Sequence, residues 1–260
     1  AAASLVSQAS LARSLVRWFE TRFDPSSPDA ARQAAESDIG AELTRAIEVL
    51  EDPTDYKVFK ALRDLVAATV RTNHFRAPGE RSRALALKLE PGGLGGVPRP
   101  APKHEIFVLA PGMEGVHLRG GDVARGGIRF SDRPDDYRTE VLGLMKTQMV
   151  KNAIIVPVGA KGGFILTAPP TERTALAAAA LEAYRTFIGA LLDVTDGREG
   201  ERVVPPANVV RLDRDDPYLV VAADKGTATF SDVANEISAA YGFWLGDAFA
   251  SGGSVGYDHK

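Results

Sequence analysis

The sequence predicts an α/β fold: a helical N-terminal segment followed by a mixed-sheet α/β domain. Three observations carry that expectation. Residues 1–76 place apolar side chains at helical spacing. From Leu85 the period falls to two, with Leu85, Leu87 and Leu89 alternating with small or charged residues. Beyond residue 125, short apolar strands alternate with helical stretches, the pattern of a layered α/β structure. The expected division is a helical segment over 1–76 and an α/β domain over 77–260.

The elements follow in order. A first helix sets Leu5, Leu15, Val16, Phe19 and Phe23 roughly on one side and ends at Asp24-Pro25. A second covers about 28–50, with Ile39, Leu43, Ile47 and Leu50 spaced four, four and three. A third follows Asp52-Pro53, where Asp52 suits the cap and Pro53 the first turn. Its face is Val58, Phe59, Leu62, Leu65, Val66 and Val70. The segment 91–102, PGGLGGVPRPAP, reads as a loop. Strands are expected over 105–109 and 116–119, joined by a turn at Pro111-Gly112. Asp135 or Asp136 can start the next helix, whose apolar face is Val141, Leu142, Leu144, Met145, Met149 and Ala153. A strand at 154–156 ends at Pro157, and another spans 164–166. An alanine-rich helix over about 171–192 has Glu172 in its first turn. After a loop at 193–201 come a short strand at 209–212 and a buried one at 218–222. A last helix, capped by Ser231, runs to about Tyr241.

Composition narrows the function. Net charge is −3 over 260 residues, which offers no nucleic-acid or membrane surface. There is no cysteine, so disulfides, thiolate chemistry and Cys-based zinc sites are excluded. His74, His104, His117 and His259 show no metal-ligand spacing. No apolar run approaches the ~18 residues of a membrane span, and Arg13 and Arg17 break the apolar N-terminus, so a signal peptide is not expected. A soluble cytoplasmic protein is the default expectation. Both ends read as cut: the chain opens on Ala1 and closes just after a glycine-rich turn. The RGG occurs once, without aromatic interleaving, which is poor support for RNA binding.

The chemistry concentrates in 125–164. Two glycine-rich turns are expected, Arg125-Gly126-Gly127 and Gly159-Ala160-Lys161-Gly162-Gly163, flanking one helix and one strand. Cations beside glycines suit a pocket where backbone approaches an anionic ligand. At helical spacing Gln148 projects inside the apolar stripe and Lys151 at its edge. Lys151 can snorkel to water and Gln148 can bond a neighbouring backbone; equally, both can face a ligand. If Arg125, Lys151 and Lys161 converge, repulsion and desolvation lower a lysine pKa toward neutrality. Asp224 follows an apolar strand and precedes glycine by two residues, where open α/β sheets place ligands. Asp224 also suits a turn or helix cap, as do Asp232 and Asp247.

These residues resemble the substrate domain of glutamate dehydrogenases, most closely the large NAD-dependent class. The shared pattern is a cation-Gly-Gly-hydrophobic-Arg-aromatic stretch at 125–130, Gln148 with Lys151, and G-A-K-G-G at 159–163. Ala222-Ala223-Asp224-Lys225-Gly226 matches the family's Ala-Gly-Asp-x-Gly except at Ala223. The tail 249–257 resembles the family's lead into its nucleotide-binding domain. The resemblance covers about 85–260 well and the helical start more weakly. The familiar small enzymes have lysine where this chain has Arg125. The resemblance implies that Lys161 is the catalytic lysine and that Asp224 transfers protons. It implies that Lys151, beside Gln148, binds the α-carboxylate, and that Arg125 with the backbone of Gly126 and Gly127 holds the side-chain carboxylate. The implied reaction is oxidative deamination of L-glutamate to 2-oxoglutarate and ammonium, with NAD as cofactor and a homo-oligomer as the assembly.

No G-x-G-x-x-G lies between a strand and a helix, and 159–163 lacks the Gly-Lys-Ser/Thr ending of a Walker loop. The nucleotide-binding domain is therefore expected C-terminal to 260, and this segment is expected to be inactive alone. Two other readings stay open: a dehydrogenase for another amino acid, and a non-catalytic dicarboxylate-binding regulatory domain.

Overall fold

The computed structural model describes residues 1–77, 79, 84–95, 97–151 and 158–251; for Val150 and Lys151 only the backbone is described. The strand expected at 154–156, the side chain of Lys151 and the tail beyond 251 lie outside the described residues.

The chain begins with four helices: α1 (Ala2–Ser7), α2 (Ala9–Phe23), α3 (Asp29–Glu48) and α4 (Pro53–Ala68). Leu11, Leu15, Trp18, Leu43, Ile47 and Phe59 form their core. The expected face of the first helix is partly wrong, because Val16 is exposed and Trp18 is buried. Trp18 packs on Gly40 of α3 and donates to the Glu36 carbonyl at 3.0 Å. Asp52 caps α4 as expected, accepting from the Thr54 and Asp55 amides, with Pro53 in the first turn.

The strands are β1 (Thr69–Thr72), β2 (Leu85–Leu89), β3 (His104–Ala110), β4 (Met113–Arg119), β5 (Ala124–Phe130) and β6 (Val158–Leu166). They continue with β7 (Gly197–Glu199), β8 (Arg202–Val204), β9 (Val221–Ala222) and β10 (Ala250–Ser251). Between them come α5 (Tyr137–Lys151), α6 (Arg173–Asp193) and α7 (Ser231–Ala240). Eight strands form one mixed sheet in the order β1-β2-β3-β4-β6-β5-β9-β10. The half from β1 to β6 is antiparallel, and β6, β5, β9 and β10 are parallel. The helices divide between its two faces. On one, α5 covers Val116 and Leu118 through Tyr137, Val141, Leu142 and Met145. On the other, α6 and α7 cover Ile106, Ile128, Phe164 and Val221.

Several expectations need correction. The first expected helix is two, α1 and α2. Val70 lies in β1, not on α4, because the chain passes from helix to sheet at Thr69. Leu85 and Leu87 of β2 are only half-buried, whereas Ala86 and Lys88 are fully buried. The charged position faces inward because carboxylates meet it there. The loop at 193–201 holds the β7 strand and the turn of the β7–β8 hairpin. Residues 209–212 form no strand, and only Val221–Ala222 of 218–222 pair in the sheet. Glu172 precedes α6 and caps it through the Thr174 and Ala175 amides. Ser231 is the first residue of α7, not its cap, and its hydroxyl donates to the Ser251 carbonyl at 3.0 Å.

By length and composition α6 is apolar enough to cross a membrane, where the sequence led to the expectation of no such run. In the fold half of that stretch is buried. Phe187, Ile188 and Leu191 are fully buried against the sheet, each contributing roughly 1.5–3 kcal/mol of transfer free energy.

The stretch that leads from α6 to β9 is fixed by buried ion pairs. Arg71 of β1 donates to Asp196 at 2.9 Å and to Asp213 at 2.6 Å. Lys88 of β2 lies 2.5 Å from Asp213 and 2.7 Å from Asp216. Arg119 of β4 grips Asp216 with both arms of its fork. Three strands thus anchor the segment that carries Asp224 toward the sheet.

Candidate active site

Both glycine-rich stretches read as turns are strands: 125–127 lies in β5 and 159–163 in β6. The glycines serve close approach, not chain reversal. A Cβ on Gly126 would collide with the Ala160 carbonyl of β6. A Cβ on Gly159 would collide with the Gln148 backbone, so α5 lies directly on β6 there. Gly126→Ala is therefore expected to force β5 and β6 apart and to lower the melting temperature by several degrees, because the clash is with backbone that cannot rotate away. A thermal melt unchanged from wild type would mean that the two strands are not in this contact.

Strand alternation then sorts the side chains. Arg125 pairs with Gly159, and Arg129 with Gly163. Arg125, Gly127, Arg129 and Lys161 accordingly share the face that α5 covers. Leu118 of β4 pairs with Lys161 from the other side. Glycine at 159 and 163 lets α5 sit low over this face, with Val141 against Gly163.

Asp224 reaches the same place from β9. Gly127 pairs with Ala222, and a Cβ at Gly127 would lie 3.0 Å from the Asp224 Cβ. The turn after β9 is stapled to β5. Thr227 donates its hydroxyl to the Ile128 carbonyl at 2.5 Å, and the Phe130 amide donates to the Lys225 carbonyl at 3.1 Å. Gly226 adopts φ 80°, which closes this turn.

Lys161 and Asp224 form an ion pair. The Lys161 side chain is 6% exposed. Burial drives its ammonium down to about 8, the Arg129 guanidinium adds to that fall, and Glu140 opposes it.

The expected residues are partly gathered. Lys161 and Asp224 meet, and Gly127 lies against Asp224. Gln148 of α5 is half-buried, with its backbone over Gly159. Gly126 shapes the strand contact. Arg125 donates to Ser251 Oγ of β10 at 3.3 Å. It also faces Tyr218, whose hydroxyl is raised by burial and held back by this guanidinium. Lys151 ends α5, but its side chain is outside the described residues. Arg129 lies within the 125–130 motif without an expected role, and the sequence singled out neither Glu140 nor Ser131. Arg129 pairs with Glu140 of α5, and Ser131 donates to the same carboxylate at 3.0 Å. The available signal was spacing, since Arg129 stands four residues from Arg125 on one strand face. Among the described residues no cluster of His, Cys, Asp or Glu could hold a metal ion.

Fold and site together define an α/β domain in which a buried lysine inside β6 meets an aspartate just past the end of β9, under one covering helix. The chain belongs to the bacterial NAD-glutamate dehydrogenase catalytic-domain family, whose model matches residues 42–260. It is 53% identical over 266 residues to an NAD-specific glutamate dehydrogenase of Halomonas elongata, a match that covers 100% of this chain and 16% of that protein. The NAD-specific glutamate dehydrogenase of Pseudomonas aeruginosa is 52% identical over 265 residues, with the same coverage of 100% and 16%. That of Mycobacterium tuberculosis is 53% identical over 264 residues, covering 95% of this chain and 16% of that protein. The chain thus spans about a sixth of the length of these relatives.

Proposed function

We propose that this chain is the substrate-binding part of a glutamate dehydrogenase that deaminates L-glutamate oxidatively to 2-oxoglutarate and ammonium, with hydride passing to NAD. The observation that carries the reading is the Lys161–Asp224 pair, a buried amine titrating near 8 beside a carboxylate. Lys161 polarises the developing carbonyl and activates water at the imine carbon. Asp224 passes protons to and from the amino group. A dicarboxylate needs a cation at each end: Lys151 with Gln148 takes the α-carboxylate, and Arg125 with the Gly126 and Gly127 backbone takes the side-chain carboxylate. Among the described residues no strand-to-helix turn carries the glycine fingerprint that cradles a dinucleotide. We therefore place the NAD site in a domain C-terminal to residue 260.

Calorimetric titration of the full-length enzyme with glutamate and with an unreactive dicarboxylate tests the substrate assignment, and saturable binding of both is expected. Failure of both to bind would refute it. Arg125→Ala is expected to raise the glutamate KM far more than the NAD KM, because one charge-assisted contact is worth about 1.5–3 kcal/mol. An unchanged glutamate KM would assign the side-chain clamp to another residue.

A further inference from the structure

Arg129 has no part in the proposed chemistry, yet it connects the covering helix to the acid–base pair. It leaves β5 two residues beyond Gly127, and its side chain is 20% exposed. One arm of its guanidinium pairs with Glu140 Oε1 on α5. The other lies 3.5 Å from Asp224 Oδ1. Glu140 is itself held, because its second oxygen accepts from Ser131 Oγ at 3.0 Å. The opposite oxygen of Asp224 faces Lys161. A continuous line of polar contacts therefore runs from Ser131 through Glu140, Arg129 and Asp224 to the amine. An exposed Arg–Glu pair would contribute little. This arginine instead spans two carboxylates on separate elements, and one of them meets the lysine.

We propose that Arg129 is the positioning residue of this site: anchored on Glu140, its guanidinium orients Asp224 toward Lys161 and sets the charge balance around that amine. The inference rests on reading Lys161 and Asp224 as the reacting groups. Three charged groups face Lys161: Asp224 from the turn after β9, Arg129 from β5 and Glu140 from α5. From β4 it meets Leu118, which is apolar. Arg129 and Glu140 act on the amine with opposite sign. Their charge-removing variants must then move it in opposite directions, which a merely structural contact would not do.

The test is the pH dependence of kcat in the full-length enzyme for Arg129→Gln, Glu140→Gln and Arg129→Lys, with thermal melts to verify folding. Arg129→Gln is expected to move the lysine limb to higher pH and Glu140→Gln to lower pH. Arg129→Lys keeps the charge but loses the fork, so its limb is expected to stay in place. Its kcat should fall by up to about 10²-fold, as for a misplaced reacting group, with the glutamate KM little changed. Limbs that do not move, or that move the same way, overturn the proposal. So does an Arg129→Lys enzyme with wild-type kcat. If Arg129→Gln does not fold, the downward shift in Glu140→Gln and the kcat of Arg129→Lys still decide. Lys161→Ala separates the two levels. Near-wild-type kcat in Lys161→Ala refutes the underlying reading. An inactive but folded Lys161→Ala enzyme, with limbs unmoved in the Arg129 and Glu140 variants, refutes only the role of Arg129.

Discussion

Lys161→Ala in the full-length enzyme is expected to abolish turnover while glutamate and 2-oxoglutarate still bind. Lys161 is buried on a strand face beside Asp224, and its ammonium titrates near 8 instead of the ~10.4 of a free lysine. Most of that shift comes from burial, with Arg129 next. The neutral amine therefore accumulates as pH rises through 8, and the wild-type rate of glutamate oxidation should rise over the same range. Lys151→Ala should lose substrate binding first, because the proposed role of Lys151 is to hold a carboxylate still. Calorimetry on both variants alongside turnover separates the roles. Near-normal kcat in Lys161→Ala would reduce this strand to a wall of the pocket.

The second large effect is on stability. Asp216→Asn is expected to cost about 3–5 kcal/mol, the usual loss when one partner of a buried ion pair is removed. The substitution would leave the Arg119 fork, 2% exposed, without a carboxylate, and Lys88 with Asp213 alone. The comparison is Glu199→Gln, which breaks an exposed pair with Arg202; there a loss of no more than about 1 kcal/mol is expected. Chemical denaturation of both variants measures the difference. Equal, small losses would mean that the network does not hold the segment leading to Asp224.

The same groups set the acid limit. Burial alone would raise the Asp216 carboxyl, but Arg119 and Lys88 outweigh it and hold it well below the usual carboxylate range. Its contribution is present above the unfolded pKa of 3.8 and is lost as pH falls below that value. His117 is fully buried, and burial, then Arg119, pushes it down to about 3. The unfolded chain protonates this histidine below 6.5 and the folded chain does not, so stability should already decline from about pH 6.5 downward.

Much of this was legible because local chemistry and tertiary fold agree. Asp52-Pro53 starts α4, Pro111-Gly112 turns β3 into β4, and the Met145 face of α5 packs on the sheet. What misled was glycine. At 125–127 and 159–163 it permits strands and a helix to touch, and sequence alone reads such runs as turns. Lys88 was misassigned for a related reason: a charged residue in a strand is expected to face water, and only the fold brings Asp213 and Asp216 to it. Lys161 and Asp224 stood out through their motifs. Arg129 stood in a motif without a role and Glu140 in none, because their meaning depends on α5 crossing β5 and β6, a long-range packing that no local spacing records.

The most direct measurement is the pH dependence of covalent labelling of Lys161 in the full-length enzyme by an amine-reactive reagent, read by peptide mass spectrometry. Only the neutral amine reacts, so the midpoint reports this side chain itself. The expected result is a midpoint near 8, with labelling suppressed by 2-oxoglutarate. A midpoint near the ~10.4 of free lysine, unaffected by 2-oxoglutarate, would contradict Lys161 as the acid–base group of a dicarboxylate site.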